Sequence, residues 1–109
     1  MKKLIAALIV FPLLASSIAQ AAGPFTEKDF KWEPFTDLYK RVIIAGVNKI
    51  ARTKPECAKL DPTSLQRYGG TPDDPEFVVT CGEPGHITHA YFSKTDVTGD
   101  PASNVPLEE

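Results

Sequence analysis

Apolar residues recur along this chain in three rhythms, helical, alternating and continuous, and each predicts a different element. The helical rhythm runs from Pro34 to about Thr53. Placed about 100° apart, Phe35, Tyr39, Val42, Ile43, Gly46, Val47 and Ile50 share one arc, and Asp37, Arg41, Asn48 and Arg52 share the opposite one. Pro34 suits a first helical turn, where its missing N–H costs nothing. Asp37 and Arg41 form a favourably oriented i,i+4 pair. Lys49, Arg52 and Lys54 complement the C-terminal end of the dipole, and Pro55 ends the helix. Gly46 sits in the middle of the apolar arc, where Gly costs about 1 kcal/mol relative to Ala. That cost predicts a close approach by another backbone or side chain.

The alternating rhythm occupies Glu76 to Cys81 and His86 to Ser93, two runs rich in Phe, Val, Thr, Ile and Tyr around Gly82-Glu83-Pro84-Gly85. They predict a hairpin with Cys81 opposite His86. One face then holds Phe77, Val79, Cys81, Ala90 and Phe92, and the other Val78, Thr80, Ile87, His89 and Tyr91. The first face is the more apolar and is expected to meet the helix. Between helix and hairpin, Asp61-Pro62, Gly69-Gly70 and Pro72-Asp73-Asp74-Pro75 predict an irregular connection from Pro55 to Pro75. Ahead of the helix, Thr26 and Asp29 have the spacing of a capping box and predict a short turn near Glu27 to Lys31. Residues 95–109 carry Gly, Pro, Ser and acids and read as a flexible tail.

The continuous rhythm lies at the start. Met1-Lys2-Lys3 precedes an apolar run from Leu4 to Leu14, and Ala19-Gln20-Ala21 offers a small-x-small site. This order predicts an export signal, residues 1–21, cleaved after Ala21, with periplasmic or secreted localisation. The run falls short of the roughly 20 residues a membrane span needs, and Pro12 interrupts it. No stable span is expected after cleavage. Removing Lys2 and Lys3 takes the basic residues from 12 to 10 against 14 acidic ones, a net charge of −4. A mildly acidic chain with no basic stripe is a poor nucleic-acid ligand.

Export changes the meaning of the two cysteines. In an oxidising compartment Cys57 and Cys81 have one pairing available, which would tie the helix end to the hairpin. Closing that loop contributes roughly 3–4 kcal/mol in the chain-entropy model. The expected fold is therefore α+β: one long amphipathic helix on a small antiparallel hairpin sheet, stapled by one disulfide, within residues 22–94.

Patterns that would carry catalysis are weak. His86 and His89 stand three apart on a strand, so they face opposite ways and would not share a metal. A cluster of Glu83, His86 and nearby acids is the alternative reading, a small-ligand or metal-binding module. Ser64, Ser93 and Ser103 lie in no nucleophile turn. Asp73, Asp74 and Glu76 fall among prolines, and no EF-hand spacing accompanies them. A small hydrolase ranks last, and no cofactor pattern is present. Aromatic residues offer more. Phe25, Phe30, Trp32 and Phe35 either complete the core or form an exposed apolar patch, and Ile87, His89 and Tyr91 lie on the outer hairpin face. The leading expectation is a non-enzymatic module that binds an envelope or secreted protein, with Phe30, Trp32, His89 and Tyr91 as the contact residues.

Overall fold

A computed structural model describes residues 24–107, so the expected signal segment lies outside the described residues. Within them the chain forms α1 (Pro34–Asp37), α2 (Lys40–Thr53), β1 (Leu60–Gly70), β2 (Pro75–Glu83), β3 (His86–Ser93) and α3 (Lys94–Thr98). The strands make one antiparallel sheet in the order β1-β2-β3, with α2 against one face. The architecture is α+β, and Cys57 is bonded to Cys81, their Cα atoms 4.7 Å apart.

The helical segment is not continuous. Tyr39 leaves helical geometry at φ −118° and ψ 26°, and α2 starts after it. The break turns the Tyr39 ring onto Phe77, with centroids 6.0 Å apart, and sends its hydroxyl to the Pro72 carbonyl at 3.3 Å. Tertiary docking of one aromatic outweighs helix continuation here, which periodicity alone does not register. Phe35, ahead of the break, is thereby exposed instead of joining the core arc, and Thr36 is buried in its place. Asn48, on the arc expected to be polar, is also buried. Its amide accepts from the Phe25 N–H at 2.9 Å and donates to the Phe25 carbonyl at 3.0 Å, pinning the incoming chain to α2.

Past Pro55 the expected connection contains a third strand. β1 pairs with β2 from Leu60↔Cys81 to Gly70↔Pro75, with register shifts between Asp61 and Gln66 and between Arg67 and Gly69. The turn signals there are locally correct. The Asp61 carboxylate accepts from the Thr63 N–H at 3.0 Å, and Ser64 Oγ bonds the Asp61 carbonyl at 2.6 Å. The chain bulges and then resumes pairing because β2 offers an open edge and Leu60 and Leu65 bury against the core.

The hairpin register differs from expectation by two residues: Cys81 faces Thr88, Val79 faces Ala90, Phe77 faces Phe92 and Glu83 faces His86. Pro84 and Gly85, the latter at φ +93°, have the residue types that a type II turn takes at its central positions, so the loop is shorter than four residues. A two-residue slip preserves parity, and both faces keep the expected side chains. Gly82 absorbs the twist at φ +99°, where a Cβ would run into the His86 carbonyl oxygen.

Beyond Ser93 the stretch expected to be a tail enters α3, capped by reciprocal bonds. The Ser93 hydroxyl accepts from the Asp96 N–H at 3.0 Å, and the Asp96 carboxylate accepts from the Ser93 N–H at 2.8 Å. Val97 joins the core, and the Leu107 N–H bonds the Val97 carbonyl at 3.0 Å. Gly46 faces this region. A Cβ there would lie 2.6 Å from Phe92 Cε2 and 3.0 Å from Val97 Cγ2, so the close approach is made by side chains of β3 and α3.

Candidate interaction surface

Side chains of a strand alternate across the sheet, so the burial of Phe77, Val79, Cys81, Ala90 and Phe92 against α2 leaves their neighbours on the other face. On that face Ile87 is 55% exposed, Tyr91 47% and Tyr68 61%. Tyr91 is paired with Val78 on the middle strand, and His89 with Thr80. The Thr80 hydroxyl and His89 Nδ1 lie 3.4 Å apart.

Tyr68 reaches Tyr91 across the full width of the sheet. Arg67 faces Phe77 and Gly69 faces Glu76, so Tyr68 is the extra residue of a bulge. Bulges re-aim side chains. Here the Tyr68 ring meets Tyr91 edge-on, with centroids 4.7 Å apart and planes at 65°. An aromatic pair thus bridges the two outer strands over Val78, with Ile87 farther along β3. Tyr68 escapes sequence reasoning because Gly69-Gly70 marks the segment as a turn; the run from Leu65 to Tyr68 was the available strand signal.

The remaining expected contact residues sit elsewhere. Phe30 is buried in the core, and Trp32 stacks on it at 5.0 Å. Trp32 Nε1 donates to the Glu27 carbonyl at 3.0 Å, and the Lys40 ammonium lies 5.5 Å from the indole centroid. Lys40 also bonds Glu27 at 2.7 Å and Asp37 at 2.9 Å. Those two carboxylates, Glu27 foremost, raise the Lys40 pKa above its ordinary value. The Trp32 corner is therefore a fastened junction between the chain start and α2. Structure brings Phe30 to Trp32 and, separately, His89 and Tyr91 to one sheet face.

Glu83 and His86 border a shallow cavity of about 400 Å³ with Lys59 and Thr88. Glu83 is engaged by Lys59 at 3.0 Å. Among the described residues no three His, Cys, Asp or Glu side chains gather closely enough to hold a metal ion. Ser64 serves the fold, its hydroxyl accepting the Thr80 N–H at 2.8 Å, and Asp74 accepts the Thr95 N–H at 2.9 Å. No helix of the described residues is long and apolar enough to cross a membrane. Comparison with protein-family models, curated proteins and solved structures finds no match for this chain.

Proposed function

We propose that the protein is a non-enzymatic binding module of an exported compartment, and that it recognises another protein through the outer face of its sheet. The observation that carries this reading is the exposed Tyr68–Tyr91 pair with Ile87 on a face that no described element covers. Contiguous exposed apolar groups on a small protein commonly mark partner sites. Tyrosine suits such a site, since its ring buries apolar area while the hydroxyl keeps a polar partner. The signal-like start and the Cys57–Cys81 bond support export to an oxidising space, periplasmic or extracellular.

Site-specific photocrosslinking in intact cells tests it. A crosslinker at Ile87 should give one defined adduct with a different protein, distinguished by mass from any self-adduct, that Tyr68→Ala abolishes without lowering the amount of folded protein. The same crosslinker at Lys49, exposed on α2, should give none. Equal labelling from both positions would sink the reading.

A further inference from the structure

The two edges of the sheet are built differently. Along β1, Pro62 has no N–H to donate, Asp61 and Arg67 carry charge, and the ladder slips twice. Proline, bulges and charges are the devices that keep an edge from pairing with another chain. β3 lacks all of them. His86–Ser93 contains no Pro, Asp, Glu, Lys or Arg and pairs with β2 residue for residue along its length.

Bonds made by β2 establish which way the β3 backbone faces. The Thr80 N–H is directed at Ser64 Oγ at 2.8 Å and the Gly82 N–H at the Lys59 carbonyl at 2.9 Å, both on the β1 side. Successive residues of an antiparallel strand alternate in this respect. His89, Ile87 and Tyr91, opposite Thr80, Gly82 and Val78, therefore turn their N–H and C=O groups to the open edge. None of them bonds its backbone to another element among the described residues.

We propose that this edge is a homodimer interface, with β3 of a second copy added antiparallel about a twofold axis at His89. The strand is self-complementary in that register. Thr88 and Ala90 flank His89, and Ile87 and Tyr91 stand one step further out. Ile87 then faces Tyr91 of the second copy, and Tyr91 faces its Ile87, two β-branched–aromatic pairs of the kind that stabilise antiparallel sheets. His89 faces His89, so the open backbone groups of all these residues meet partners. The strand carries no Asp, Glu, Lys or Arg, so no carboxylate, ammonium or guanidinium opposes the pairing of the copies. Because the β1 edge is protected, the assembly closes at two copies. This pairing uses the strand edge and holds whether or not the outer face has a separate partner.

Sedimentation of the purified, oxidised protein across a concentration series tests it. The expected result is a monomer–dimer equilibrium. Ile87→Lys places a charge in the joint sheet and should raise the dissociation constant by about tenfold or more. His89→Pro removes an N–H that points only to the open edge, a position where edge strands tolerate proline, and should do the same. Tyr68→Ala removes a ring that rests on Tyr91 but leaves the β3 backbone and its open N–H and C=O groups in place, so it should shift dimerisation far less than Ile87→Lys while it disrupts outer-face crosslinking. A protein monomeric into the millimolar range overturns the proposal. So does a dimer indifferent to Ile87→Lys, which decides alone if the proline variant does not fold, and so does growth beyond two copies.

Discussion

Phe77 and Val79 are fully buried, whereas Ile87 and Tyr91 on the neighbouring strand stand open to solvent. The two faces of one sheet thus differ in exposure, and the proposed function gives each a different task. The inner face, closed by α2 and the disulfide, holds the chain together. The outer face contributes little to the core and presents aromatic surface. What separates them is only the pleat, which sends successive side chains to opposite sides. Substitutions can therefore damage one task and spare the other.

The largest effect is expected from Phe77→Ala, which empties the centre of the inner face beneath Tyr39 and Phe92. It should cost about 3–5 kcal/mol, read as a drop in the denaturant midpoint, and leave most molecules unfolded. Replacing both Cys57 and Cys81 by Ala opens a link between residues 24 apart and should cost about 3–4 kcal/mol. Reduction of the native protein should lower its Tm by a comparable amount; an unchanged melting curve would contradict the role of the staple. Gly46→Ala should destabilise by about 1–3 kcal/mol through overpacking against Phe92, in spite of its better helix propensity. A stability gain would mean that the Phe92 ring moves aside freely. On the outer face, Tyr91→Ala should change stability by no more than about 1 kcal/mol, the value of its edge-on pair with Tyr68, while abolishing the proposed binding.

The smallest effect concerns Lys40. Its pKa is raised by Glu27 and Asp37, so the stabilisation from the charged ammonium is in place at neutral pH. It fades only as alkaline pH rises through the elevated value. Trp32, the single tryptophan, should report the loss as a change in fluorescence in the alkaline limb, absent in Lys40→Met.

Much of the inner face was legible in the residues themselves. The alternation from Phe77 to Cys81 and from Ala90 to Phe92 assigned the buried positions, and a two-residue error in register left them intact because side-chain parity has period two. Gly46 announced a close contact through its cost. Cys57 and Cys81 had only one pairing to make. The outer face was half legible. Ile87, His89 and Tyr91 followed from the same alternation, but Tyr68 did not, since its strand is written in turn residues. Phe30 and Trp32 illustrate the reverse. Their apolar character was plain, yet whether they cover the core or face solvent depends on where Asn48 and Lys40 fasten the incoming chain.

Local pattern by itself determined the identity of β2, β3 and the main helix, which residues of the hairpin turn inward, and that two sulfurs would join helix end to sheet. Those outcomes rest on short-range geometry: the pitch of a helix, the pleat of a strand, the count of cysteines. Tertiary structure alone decided that Leu60–Gly70 becomes a strand, that the helix breaks at Tyr39, that Val97 belongs to the core, and that Tyr68 meets Tyr91. Each of these depends on partners distant in sequence, whose burial and hydrogen bonds outweigh the preferences of the segment that receives them.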